Sequence, residues 1–393
     1  MPARRVLIVC AGYPPDIKGG GEKSTQILAQ SLSAQGNVVR VLTLADTSGE
    51  RIDSDQVTRI EMQRSPNIYW NFRRHTSTLQ KVVWHALDNF NPRAIDAVTR
   101  CIDTFRPDIV VSSTIENFGP SIWQASAKAG IPVVHILRSY YVQCLRGTMF
   151  CNGRNCKSAC IECSALTWGR RHAAPLVNGL VGISHFILDQ HSDLFPKAKQ
   201  IVIPNAVHPV AALHPQRTHS SPVTFGYLGR LEPEKGVREI LETFQQLPDY
   251  CHLLVAGSGH KAYEAALRAQ FASPRIRFLG WVSADAVYRD IDFAVIPSLW
   301  NEPFGRVVIE AYSQGVPVIA AARGGLSELV NQHTGYLFDP DVSGDLHAVC
   351  LRAAHSMQSY DQMVQAARSE VQRYSPPALA QQYDQFFTDL LHG

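Results

Sequence analysis

Two glutamates, Glu302 and Glu310, flank Phe304 and Gly305 in NEPFGRVVIE (301–310). The apolar run DFAVIPSL before them reads as a buried strand, and AYSQG after them ends at a helix-stopping glycine. Glu302 therefore falls ahead of a helix, Gly305 in its first turn and Glu310 further in. Gly305 lacks a Cβ, so ligand oxygens can approach the N–H groups that open the helix. A carboxylate inside the helix can accept two hydrogen bonds from a vicinal diol such as a ribose, and one ahead of it can serve the hydroxyls of a sugar. The bland reading is a pair of surface glutamates welcomed by the positive end of the helix dipole.

Carboxylates repel phosphate, so a phosphorylated ligand needs cations from elsewhere. GYLGRLEPEKG (226–236) supplies them: a strand ends at Leu228, a loop carries Arg230 and Lys235, and Gly236 opens a helix. Arginine offers forked hydrogen bonds and lysine a point charge, a natural clamp for a diphosphate. Alone, such a turn is more often just solvated; beside NEPFGRVVIE the balance reverses. A further glycine-rich helix start, AARGGLSELV (321–330), follows the next strand. In the first half, His135 closes the strand IPVVHIL, and Gly19, Gly20 and Gly21 follow the first strand in GGGEKS. The spacing G-x-G-x-x-G is absent, which argues against a nicotinamide enzyme.

These residues need elements to position them. Short apolar runs (RVLIVCA, VVRVLTL, PDIVVSS, IPVVHIL, GLVGIS, QIVIP) alternate with amphipathic stretches such as AIDAVTRCIDTF and PSIWQASAKAG. After a Pro-, His- and Ser-rich stretch the alternation restarts at VTFGYLGR. The fold class is α/β, with two doubly wound parallel sheets. The expected organisation is a first domain over 1–205, a linker over 206–222 and a second domain over 223–375. The tail 376–393 is one last helix, packed back on the first domain or closing the second. Two such units would leave a cleft between the carboxyl ends of facing sheets.

The combination resembles the family-4 glycosyltransferases of the GT-B fold. The motifs that carry the likeness are Arg230/Lys235, Glu302/Glu310 and Gly324-Gly325 with Glu328, together with GGGEKS, HILR, GISHF and IPNAV in the first half. The resemblance implies two Rossmann-like domains and transfer of a sugar from a nucleotide-diphosphate sugar, UDP-linked ahead of GDP-linked, with anomeric configuration retained and no catalytic metal. It assigns the donor diphosphate to Arg230 and Lys235 and the ribose to Glu310. The transferred sugar falls to Glu302 and the backbone around Phe304–Gly305, and donor approach to Gly20 and Gly21. His135 joins Arg230, Lys235 and Glu302 as a catalytic residue. Arg306 departs from the pattern, standing where an aliphatic residue is common. The implied acceptor is a glycan or lipid-linked molecule in surface-polysaccharide or glycoconjugate synthesis. The rival reading is a non-catalytic relative that binds nucleotide sugars or acts as a scaffold.

Nine cysteines occur, five of them in CLRGTMFCNGRNCKSACIEC (144–163). Thiolates so closely spaced suit a structural Zn²⁺ held by Cys151, Cys156, Cys160 and Cys163, with Cys144 spare or substituting. An iron–sulfur cluster or a disulfide is the alternative. The other four cysteines read as small core residues.

A formal charge of +3 suits a phosphate-bearing ligand and does not mark a nucleic-acid binder. The apolar run Val6–Ala11 is too short for a signal peptide, and no run reaches the roughly 18 apolar residues of a spanning helix. The expected location is cytoplasmic, with peripheral contact at the inner face of a membrane. The candidate contact is IYWNFRRHTSTLQKVVWHALDNF (68–90), where aromatic residues mix with Arg73, Arg74, His75 and Lys81. An ordinary amphipathic helix with snorkelling cations accounts for the same pattern.

Overall fold

Alternating apolar strands and amphipathic helices build two separate parallel sheets in the computed structural model, which describes residues 3–15, 19–68, 77–210 and 222–392. The chain divides into unit 1 (residues 1–149, 156–206 and 376–393) and unit 2 (150–155 and 207–375). Most of the expected linker, 211–221, lies outside the described residues.

Unit 1 carries strands β1 (Arg5–Cys10), β2 (Val38–Ala45), β3 (Gly49–Ile52), β4 (Arg59–Arg64), β5 (Ile109–Ser112) and β6 (Val133–Leu137). After the short pair β7 (Phe150–Cys151) and β8 (Arg154–Asn155) come β9 (Gly179–Gly182) and β10 (Lys199–Val202). The sheet order is β10-β9-β6-β5-β1-β2-β4-β3, parallel except for β3 against β4. Strands β5, β6 and β9 are buried along their whole length, as helices on both faces of a parallel sheet require. The helix Gly20–Ala34 follows β1, and the last helix, Pro376–Leu391, packs against it within the same unit. Gly179 makes room for that last helix: a Cβ there would lie 2.9 Å from Phe386 Cε1.

Polar contacts fix the docking. Asn37 Nδ2 donates to Asp384 Oδ1 at 3.0 Å, Arg4 pairs with the same oxygen at 3.6 Å, and Arg4 Nη2 donates to Thr388 at 2.6 Å. Arg4 and Asp384 are both buried.

Unit 2 carries β11 (Val223–Leu228), β12 (Cys251–Ala256), β13 (Ile276–Gly280), β14 (Phe293–Ile296), β15 (Val318–Ala321) and β16 (Gly335–Phe338). Their order is β13-β12-β11-β14-β15-β16, all parallel. Phe225 stacks on Phe293 and meets Phe244 edge-on at the centre of its core. Strand order reverses between β11 and β14, and the carboxyl ends of strands at such a switch point are where α/β sheets bind ligands.

The cysteine-rich stretch is divided. Residues 150–155 fold with unit 2 and the flanking segments with unit 1. The six residues form a hairpin turning at Asn152 (φ 52°) and Gly153 (φ 72°), the left-handed pair of a type I′ turn.

Removing the Asp384 carboxylate would leave Arg4 buried beside Thr388 without its charge partner. Asp384→Ala is expected to lower stability by about 3 kcal/mol in chemical denaturation. A loss below about 0.5 kcal/mol would show that apolar packing alone docks the last helix.

Candidate active site

The loop after β11 is positioned by close backbone approach. Gly229 N donates to Ala256 O at 3.1 Å and Leu231 N to Ser258 O at 3.0 Å, tying the loop to the one after β12. A Cβ on Gly257 would lie 1.8 Å from Gly229 O, and one on Gly259 2.0 Å from Leu231 O, so side chains are excluded there. Tyr227 Oη donates to Arg230 O at 2.6 Å. Arg230 itself is more than half exposed and pairs with Glu232 at 2.8 Å. Lys235 lies in the short turn Pro233–Lys235 and is mostly buried.

Lys235 meets the segment after β14. Its Nζ donates to Glu302 Oε1 at 2.7 Å and sits 4.8 Å from the centre of the Trp300 ring. Ser298 Oγ donates to the same oxygen at 2.8 Å and Trp300 Nε1 at 3.0 Å. Three donors thus converge on one oxygen of a buried carboxylate, while Oε2 has no hydrogen bond among the described residues. Sequence reasoning missed Ser298 and Trp300, because the chain bends at 299–300 and no periodic pattern marks which side chains meet Glu302.

The segment is held from two further directions. Leu299 N and Trp300 N both donate to Glu234 O, at 3.0 and 3.4 Å. Gly325 N donates to Glu302 O at 2.7 Å. Gly324 has φ +56°, and a Cβ on it would lie 2.4 Å from Glu302 O; one on Gly325 would lie 2.8 Å from Phe304 Cα. The Gly324-Gly325 turn is therefore a backbone seat for the glutamate loop. Gly305, at φ +102°, opens the helix Arg306–Ser313, and Phe304 is buried against Tyr374. Arg306 Nε donates to Glu310 Oε1 at 2.8 Å, one turn along this helix. The residue that departs from the family pattern is thus a partner of the expected ribose-binding glutamate.

Unit 1 places its candidates as follows. Gly20 and Gly21 open the helix Gly20–Ala34, and a Cβ on Gly21 would lie 3.3 Å from Thr114 Cγ2. His135 sits at the middle of β6 rather than its end, because the strand runs on to Leu137. It is buried between Trp123 and Phe195, with Nδ1 3.0 Å from Ser112 Oγ. Burial pushes its imidazole down to about 3, and His191 acts in the same direction. His135 lines a small cavity with Ser113, Glu116 and Arg138, and burial pushes the Glu116 carboxyl up to about 7. Arg138 Nε donates to Ser113 Oγ at 2.7 Å, and Arg138 also binds Asn205. These contacts join HILR to IPNAV.

The cysteines separate by position. Cys10, Cys101, Cys251 and Cys350 are buried core residues. Cys160 caps the helix Ile161–Leu166 and Cys163 lies in its first turn; hydrogen bonds from the Cys163 backbone and thiol pull Cys160 down. Burial, with Cys144 and Cys160 beside it, pushes Cys163 up to about 12. Cys151 belongs to the hairpin that folds with unit 2. Among the described residues, no group of three or more His, Cys, Asp or Glu side chains is arranged to hold a metal ion.

In the expected membrane-facing segment, 69–76 lie outside the described residues. Trp84 is buried, with Nε1 donating to Asn117 at 2.9 Å, and so belongs to the core. Among the described residues no helix is long and apolar enough to cross a membrane.

Two outcomes follow from this geometry. Gly324→Ala, forced into strain and into Glu302 O, is expected to cost about 1–3 kcal/mol in denaturation; an unchanged midpoint would refute the seat. The His135 ring resonance should hold one position from pH 8 to pH 5 in an NMR titration. The unfolded chain takes up that proton near 6.5 and the folded chain only near 3, so this group weakens the fold as pH falls through that window. A resonance that moves with a midpoint near 6.5 would mean that the ring is in contact with water.

Comparison with known proteins matches the geometry. The description "Glycosyl transferase 4-like domain" fits residues 19–206 and "Glycosyl transferases group 1" residues 213–370. A Klebsiella pneumoniae "uncharacterized 42.6 kDa protein in cps region" is 29% identical over 327 residues, covering 82% of this chain and 87% of its own. Among solved structures, sucrose-phosphate synthase from Thermosynechococcus elongatus superposes with a TM-score of 0.75 at 18% identity, over 98% of this chain and 99% of its own. The Anabaena protein HepE in complex with UDP and glucose gives 0.70 at 18%, over 98% of this chain and 100% of its own. The fold is GT-B. With both halves of the chain matched, it belongs to the family-4-type glycosyltransferases and depends on a nucleotide sugar.

Proposed function

We propose that this glycosyltransferase moves a hexose from a UDP-sugar to a glycan or lipid-linked acceptor in glycoconjugate synthesis, with retention of configuration and without a catalytic metal. The observation that carries the reading is the convergence of Lys235, Ser298 and Trp300 on Oε1 of Glu302 at the carboxyl ends of β11 and β14. A carboxylate so held keeps Oε2 for sugar hydroxyls. An ammonium has three donors, so Lys235 can also bind a phosphate oxygen. Arg230 is exposed enough to reorient from Glu232 towards the same diphosphate. The Klebsiella relative in a cps region and the HepE complex with UDP and glucose support the choice of pathway class and donor.

In the proposed reaction the bond from the anomeric carbon to the diphosphate oxygen breaks and one to the acceptor oxygen forms on the same face. The acceptor proton passes to the leaving phosphate oxygen. Lys235 and Arg230 stabilise the charge that develops on that leaving group. Glu302 has a binding role in this reading and not that of a nucleophile, its Oε1 held by three donors and its Oε2 serving the sugar hydroxyls. Glu310, held by Arg306, takes the ribose diol.

A panel of UDP- and GDP-sugars, read by thermal stabilisation and slow nucleotide release, tests this. One UDP-sugar is expected to stabilise the wild type. Lys235→Ala should lower kcat/KM for that donor about 100-fold, the scale of a lost charged hydrogen bond, and Glu310→Ala should abolish stabilisation. Binding without release, even with acceptors present, would favour the non-catalytic relative. No binding at all would overturn the proposal.

A further inference from the structure

The hairpin Phe150–Asn155 belongs to unit 2, and one of its side chains reaches the glutamate loop. Asn155 Nδ2 donates to Leu299 O at 2.9 Å, and Asn301 N donates to Asn155 Oδ1 at 2.8 Å. A single carboxamide thus makes paired bonds to the main chain, as a neighbouring β-strand would. The peptides it grips lie between Ser298, Trp300 and Glu302, which form the carboxylate cluster. Glu234 O holds the same segment through Leu299 N and Trp300 N.

We propose that Asn155 is a positioning residue for the donor sugar: it fixes the 298–302 segment so that the Glu302 carboxylate meets the sugar hydroxyls. The inference rests on the sugar-binding role of Glu302 proposed above. Register supports it. Asn155 pairs with Phe150 across the hairpin, and the type I′ turn at Asn152–Gly153 fixes that register. The hairpin is thus a preformed mount that presents one amide. The cysteine-rich insertion accordingly acts on donor recognition through this asparagine, independently of what its thiols bind.

The test compares affinities of the full chain for UDP and UDP-glucose, and for GDP and GDP-mannose, by calorimetry. The wild type should bind one sugar nucleotide more tightly than its free diphosphate. Asn155→Ala should lose about tenfold in affinity for that sugar nucleotide, the scale of two weakened hydrogen bonds, with affinity for the diphosphate unchanged. Asn155→Asp keeps the acceptor for Asn301 N and loses the donor to Leu299 O. It should show a loss in the same direction and serves if the alanine variant fails to fold. Arg154→Ala in the same hairpin should behave as wild type. Equal losses for diphosphate and sugar nucleotide, or no loss, would overturn the positioning role while leaving the donor site intact. A wild type that does not discriminate the sugar nucleotide would overturn the Glu302 reading and this inference together.

Discussion

The contact between Lys235 and Glu302 is the constraint around which unit 2 is arranged. A carboxylate buried without partners would carry a desolvation cost of several kcal/mol, which one cation offsets only if the remaining polar atoms are also satisfied. Ser298 and Trp300 supply that satisfaction from the same segment, and the Trp300 ring face shields the ammonium. The pair brings together loops that leave two adjacent strands, β11 and β14. The cluster is therefore organised by the chain itself, the preorganisation that the proposed electrostatic role requires.

The same economy of space governs the backbone around it. Glycines at 236, 257, 259, 324 and 325 stand where a Cβ would collide with main-chain atoms at 2.8 Å or less. Side chains are excluded at these positions because the loops pack main chain against main chain.

Much of this was legible in the chain. Each apolar run in unit 2 that reads as a strand is one, and the positions between runs carry Arg230, Lys235 and Glu302 to the expected loops and Glu310 to the expected helix. The edge strand β3 and its neighbour β4 were not legible: Ile60 is the one fully buried residue of RIEMQR, too little for a periodic signal. His135 was read at a strand end because IPVVHIL gives no mark of where pairing stops; its burial depends on Trp123 and Phe195, both distant in sequence. The thiol spacing reads as one stretch, but Cys151 folds with unit 2 while Cys144, Cys156, Cys160 and Cys163 fold with unit 1, a division that spacing alone does not mark. Asn155 had no signal at all, since its partners lie more than a hundred residues downstream.

The hairpin has stems that touch: Cys156 N donates to Met149 O at 2.7 Å, so the excursion closes on itself where it leaves unit 1. A segment whose entry and exit are already bonded can be gained, shortened or exchanged without re-routing the chain on either side. Such a segment can diverge in sequence faster than the sheets that flank it, and a change at the end of its stem would reach the 298–302 segment through residue 155 while the fold is left alone.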